Sequence, residues 1–148
     1  MQKEATSLPY QMILVPFDGS PGSTKALRRA LLVAQQQKAA VTALSVDEHT
    51  PRDAKGVGEV EETEPLREQY FADLQTKAQS LAGELGMALK TATAVGHAAQ
   101  SILQYAREQR ADLIAIGHSG HSGVWGTLLG GTTARVVDQA GCDVLVVR

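Results

Sequence analysis

The segment Gly117-His-Ser-Gly-His-Ser-Gly-Val-Trp-Gly-Thr-Leu-Leu-Gly-Gly-Thr-Thr133 packs six glycines and five hydroxyl residues into seventeen positions. Asp112-Leu-Ile-Ala-Ile116, just before it, is a short apolar run with the pattern of a buried strand. Just after it, Ala134, Val136 and Val137 open a segment with apolar residues at helical spacing. A strand that runs through a glycine-rich loop into a helix suits phosphate. Glycine lets the backbone approach an anion closely, and the helix start offers free N–H groups and a partial positive charge. The loop is therefore expected to hold the phosphates of a nucleotide. Its candidate residues are the glycines Gly117, Gly120, Gly130 and Gly131, with His118, Ser119, His121, Thr132 and Thr133 as polar side chains around them.

Two familiar nucleotide motifs are absent. A Walker-type loop needs Gly-x4-Gly-Lys-Ser/Thr, and no lysine lies between Gly117 and Asp138. A dinucleotide fingerprint belongs after the first strand, where this chain has only Gly19 and Gly22. His118 and His121 stand three apart and resemble a metal pair, but no cysteine or further histidine is near them in sequence. Contact with phosphate is the better reading of both, and no metal site is expected. Trp125, Leu128 and Leu129 are read as anchors that bury apolar surface beneath the loop. Arg135, in the first turn of the following helix, is in reach of a phosphate but needs no such role.

The elements that must position this loop alternate along the chain. Met12-Ile-Leu-Val-Pro-Phe17 reads as a buried strand ending in the turn Asp18-Gly-Ser20. Ser20 and Pro21 form a helix start, serine as cap and proline at the first helical position. Leu27, Ala30, Leu31 and Ala34 give that helix one apolar face, and Val41 to Val46 is a second strand. Between Asp47 and Glu64, proline, glycine and acidic residues predict a long solvated connection. Pro65 is expected to open a second helix, with Leu66, Tyr70, Leu74, Leu81 and Leu85 recurring at helical multiples and Gly86 ending it. A strand over Leu89–Val95, a helix over Ala98–Arg110, a strand over Asp112–Ile116, a helix from Gly131 to Ala140 and a strand over Val144–Val147 follow.

Strict alternation predicts an α/β fold: a five-stranded parallel sheet of order 3-2-1-4-5, Rossmann-like, with right-handed crossovers and helices on both faces. Ligands of such sheets sit beyond the carboxyl ends of the strands where the order reverses. The exits of strands one and four meet there, bringing Asp18-Gly-Ser20 and the glycine loop to one crevice.

The whole chain of 148 residues is expected to form one domain. Its apolar fraction of 43% and charged fraction of 20% are ordinary for a globular protein. A net charge of −2 gives no basic field for nucleic acid or anionic lipid. The lone Cys142 cannot close an internal disulfide and is expected to pack near the last strand. The first ten residues lack the apolar core of a secretory signal, and no run is as long as a membrane span, so the chain reads as cytoplasmic.

The spacing Gly117-x2-Gly120-x9-Gly130 after a fourth strand resembles the nucleotide-binding branch of the universal stress protein family. The likeness runs from Ile13-Leu-Val-Pro-Phe-Asp-Gly-Ser20 through Ala111-Asp-Leu-Ile-Ala-Ile-Gly117 to Cys142-Asp-Val-Leu-Val-Val147. It implies a protein that binds ATP, with Mg2+, and forms a homodimer. It also implies an adenosine pocket at Pro16 and Asp18, with the backbone of Val46 at the end of the second strand. One position departs from the family pattern. Gly131 stands where a serine or threonine follows the last loop glycine, so Thr132 or Thr133 must supply any hydroxyl there.

The reading that results is an ATP-binding regulatory protein of the stress response, whose nucleotide state changes its conformation or partners. One alternative is an enzyme, a slow ATPase or nucleotide phosphotransferase, for which the loop offers no general base and no lysine. The other is a nucleotide-free interaction module, against which the intact glycine spacing argues. The last strand, at the expected sheet edge, is positioned to pair with its copy in a dimer.

Overall fold

Strand β1 (Met12–Pro16) divides the core in two, because successive side chains of a strand point to opposite faces. Ile13 and Val15, with Phe17 beyond the strand end, face one layer of helices, and Leu14 faces the other. All four are essentially inaccessible to solvent. The computed structural model describes residues 9–48, 57–119 and 129–148.

The remaining elements are α1 (Pro21–Gln37), β2 (Ala40–Asp47), α2 (Val57–Glu84), β3 (Lys90–Val95), α3 (Ala98–Glu108), β4 (Leu113–Gly117), α4 (Gly131–Gln139) and β5 (Asp143–Val147). The strands form one parallel sheet in the order β3-β2-β1-β4-β5, as the alternation predicts. Helices α1 and α2 cover one face, packing Leu27, Leu31, Leu74 and Leu81 on Ile13, Val41 and Leu113. Helices α3 and α4 cover the other, with Ile102, Leu103 and Val136 on Leu14, Leu44, Ile114 and Ile116. Each such fully buried aliphatic side chain contributes about 1.5–3 kcal/mol relative to an exposed one. The order reverses between β1 and β4, so the crevice beyond their carboxyl ends lies at the switch point of the sheet.

The ends of the elements follow from local chemistry. Ser20 caps α1 with its hydroxyl accepting from the Ser23 N–H at 3.2 Å, and Pro21 takes the first helical position. Gly86, at φ +64°, stops α2: its N–H donates to Gly83 O and the Met87 N–H to Ala82 O, both at 3.0 Å. Asp112 ties the start of β4 to β1, its carboxylate oxygens accepting from the Gln11 and Met12 N–H groups at 2.9 and 3.0 Å.

Helix α2 differs from expectation in two ways. It begins at Val57 and passes through Pro65 rather than starting there, so residues 57–64 are helix and not solvated connection. Pro65 removes one helical N–H donor, but Glu59, Glu61, Glu62 and Glu64 are good helix formers, and the helix is continuous across it. Its buried face is also set differently. Leu74, Ala78, Leu81 and Ala82 are buried, whereas Leu66 is 73% exposed and Tyr70 50%. Among the described residues no helix is long and apolar enough to cross a membrane.

Candidate functional site

A cavity of about 500 Å³ opens beyond the carboxyl ends of β1, β2 and β4. At one end stands the N-terminus of α4. Gly130 is its cap residue, in extended conformation, with no side chain to bond the helix; its own N–H donates to His118 O at 3.1 Å. The N–H groups of Gly131, Thr132 and Thr133 therefore have no acceptor within the helix. All three residues line the cavity. Among the described residues, a Cβ on Gly131 would meet no atom within 4 Å outside its own helix turn. This end can bind an anion through backbone donors and the helix dipole.

Thr133 has another task. It is buried, and its hydroxyl donates to the Gly117 carbonyl at 2.7 Å, fastening the start of α4 to the end of β4. Of the two threonines after Gly131, only the exposed Thr132 keeps its hydroxyl proton for a ligand.

The exit of β1 forms the middle of the site. Asp18 lines the cavity and accepts the Ser20 N–H on Oδ1 at 3.0 Å, while its own N–H donates to Ser23 Oγ at 3.3 Å. Asp18 thus both shapes the turn and presents a carboxylate surface to the cavity. The turn needs Gly19, whose φ is +79° and which α2 closes over: Lys77 Nζ donates to its carbonyl at 2.9 Å. The first turn of α1 then runs against the exit of β4, where Gly22 and Gly117 touch backbone to backbone.

The end of β2 completes the far side. Val46 and Glu48 line the cavity, and Glu48 Oε1 accepts the Ala98 N–H at the start of α3 at 3.4 Å. Asp47 between them pairs with Arg67 of α2, Nε to Oδ2 at 3.0 Å. Pro16, Leu44, Ile102 and Ile116 give an apolar wall. Asp18 and Glu48 are the acidic residues among the described lining, and the backbone donors that suit an anion are those at the start of α4. The cavity thus combines apolar side chains with backbone donors at the start of α4.

The model of the universal stress protein family matches residues 9–148. The chain belongs to the universal stress protein family. It is 34% identical over 142 residues to universal stress protein MJ0531 of Methanocaldococcus jannaschii, covering 94% of this chain and 82% of that one. The structure of universal stress protein UspA from Lactobacillus plantarum superposes with a TM-score of 0.80 at 31% identity, over 96% of this chain and 100% of that one. A universal stress protein solved in complex with cAMP has the same fold, with a TM-score of 0.74 at 24% identity over 95% of this chain and 98% of that one.

In this universal stress protein the structure brings together nine of the positions singled out from sequence: Pro16, Asp18, Val46, Gly117, Ser119, Gly130, Gly131, Thr132 and Thr133 all line the cavity. His118 is placed differently. Its backbone links two elements, the N–H donating to Val147 O at 2.8 Å and the carbonyl accepting from Gly130. Its side chain is not part of the lining, and its Nε2 is buried without a hydrogen-bond partner among the described residues. Arg135 is exposed on α4, away from the cavity. Gly120, His121, Trp125 and Leu128 lie outside the described residues. Among the described residues no group of three His, Cys, Asp or Glu is placed to hold a metal ion.

Sequence reasoning missed the parts that Gly22, Leu44, Glu48, Tyr70, Ile102 and Ile116 play at the site. Glu48 was within reach of it, two residues past Val46 at a strand exit. Tyr70 was not, because its spacing reads as part of the buried stripe of α2.

Proposed function

We propose that this universal stress protein binds an adenine nucleotide, ATP in the first instance, and serves as a regulator in the stress response. The carrying observation is the glycine-flanked N-terminus of α4, opening into the cavity opposite an apolar wall. The phosphates would take the N–H groups of Gly131, Thr132 and Thr133, with Mg2+ accompanying them as counter-ion. The base would lie toward Pro16, Val46 and Ile102, with Asp18 beside the ribose. A volume of about 500 Å³ falls within the usual range of small-molecule sites, roughly 300–1,000 Å³.

Nucleotide binding at the start of α4 would change the surface offered to partners. The cytoplasm is the compartment where ATP is available to such a regulator. The same molecule would act as a homodimer joined through β5, an edge of the sheet whose outer N–H and C=O groups invite pairing.

Purified protein is expected to release an adenine nucleotide on denaturation, identified by mass, and to bind ATP with micromolar affinity, equivalent to about −8 kcal/mol. Calorimetry with Mg2+ that finds no saturation by ATP, ADP or AMP up to millimolar concentration overturns the proposal.

A further inference from the structure

Arg67, Tyr70 and Leu74 stand at i, i+3 and i+7 on α2 and share one face of it. Two of them fix where that face points. Arg67 pairs with Asp47 at the end of β2, at 3.0 Å. Leu74 is buried against the turn after β1, its Cδ2 standing 2.8 Å from where a Cβ on Gly19 would lie. Tyr70 falls between these anchors and lines the cavity together with Asp18, Val46 and Glu48. Its ring meets Phe71 edge to face, centroids 5.1 Å apart and planes at 89°, and Phe71 is itself packed on the core. Half of Tyr70 nevertheless remains exposed.

We propose that Tyr70 covers the base of the bound nucleotide and makes the site prefer ligands carrying a planar heteroaromatic group. The inference rests on the nucleotide reading above and adds to it the residue that selects the base. Its physics is complementary to that of α4. Backbone N–H groups at the α4 end recognise phosphate and are indifferent to what the phosphate carries. With phosphate held by the α4 N–H groups, the rest of the ligand extends to the part of the cavity that Tyr70 lines, between the Arg67 and Leu74 anchors. The Tyr70 ring, packed at right angles to Phe71, offers an aromatic surface that pairs with any planar base, and the phenol hydroxyl is not required.

The test is calorimetry on the full chain and on Tyr70→Ala, Tyr70→Phe and Leu66→Ala, each titrated with adenosine, ATP and inorganic tripolyphosphate in Mg2+. Tyr70→Ala is expected to weaken adenosine and ATP alike by roughly 5- to 150-fold, the range of base–aromatic stacking, and to leave tripolyphosphate unchanged. Tyr70→Phe and Leu66→Ala are expected to match the unmodified chain. Melting temperatures recorded alongside confirm that the variants are folded. Unchanged adenosine affinity in a folded Tyr70→Ala protein overturns the inference and leaves the nucleotide site standing. Equal weakening of all three ligands also overturns it, since that assigns Tyr70 to the shape of the site and not to the base. An unmodified chain that binds neither adenosine nor ATP removes the nucleotide reading, and this inference with it.

Discussion

Gly22 and Gly117 meet without side chains between them: a Cβ on Gly117 would come within 2.8 Å of the Gly22 carbonyl carbon, and one on Gly22 would strike the Ser119 carbonyl oxygen. Neither glycine has a positive φ, so what excludes a side chain is the neighbouring backbone and not the local conformation. Backbone cannot swing aside as a flexible side chain does. Gly22→Ala and Gly117→Ala are each expected to destabilise the fold by about 1–3 kcal/mol, the cost of overpacking a close contact. Urea denaturation checks this, with the midpoint falling and the slope unchanged. Stability equal to that of the unmodified protein would show that the contact is loose.

Gly131→Ser should tighten ATP binding by about 1 kcal/mol, the net worth of one added hydrogen bond. A Cβ at this position would meet no described atom within 4 Å outside its own helix turn, and its φ is not in the left-handed region. Calorimetry reads it as a roughly fivefold lower Kd. Weaker binding by the serine variant would count against phosphate lying at the start of α4.

Thr133→Val should cost stability rather than a ligand contact. The variant keeps the volume but leaves the Gly117 carbonyl without the 2.7 Å bond it now accepts, a loss of about 1–3 kcal/mol for a buried group. Thr133→Ser retains the hydroxyl and is expected to recover most of that loss. Thermal unfolding of the pair decides the matter, since equal melting temperatures for valine and serine would deny the bond a role.

Stability should fall at high pH, and two groups give the direction. Burial, followed by the nearby Asp143 and Asp112 carboxylates, pushes the Cys142 thiol above its ordinary 9.0. The hydrogen bond to Asp143, followed by burial and the same carboxylates, pushes the Tyr10 phenol above 10.0. Both groups are neutral when protonated, and in both the folded protein favours that form. Their contribution is whole below the ordinary values and is lost as pH rises through the raised ones. Denaturation midpoints should therefore decline from about pH 9 upward, less steeply in Tyr10→Phe. At pH 8 the thiol should also alkylate more slowly in the folded protein than in urea. A flat profile to pH 11 contradicts both assignments.

The sheet order and the meeting of two loops at its switch point were legible because the strands are short apolar runs separated by helical periods. Ser20-Pro21 and Gly86 could be read as a start and a stop because each carries a local mechanism, a hydroxyl cap and a left-handed turn. Pro65 misled, since proline often opens a helix and its tolerance inside one depends on surroundings that sequence does not display. The division of labour between Thr132 and Thr133 was hidden for a different reason. Which hydroxyl faces the ligand depends on the Gly117 carbonyl, sixteen residues away. Gly22 was legible only as a glycine after the first strand, because the backbone it packs on, Gly117 and Ser119, lies far away in sequence.

The pairing of β1 with β4 has a bearing on how the chain is made. Ile13 lies opposite Leu113, and the N–H groups of Gln11 and Met12 are held by Asp112, a hundred residues further along. On the ribosome, the edge of β1 that will meet β4 has no neighbour from the moment β1 is made, while β2 and β3 are still being added. At about 5–20 residues per second, roughly 5–20 seconds pass before β4 has been synthesised. Through that interval the nascent chain presents an open strand edge, with the apolar faces of β1 only half covered, so this is the stage at which aggregation competes with folding and a chaperone has most to protect.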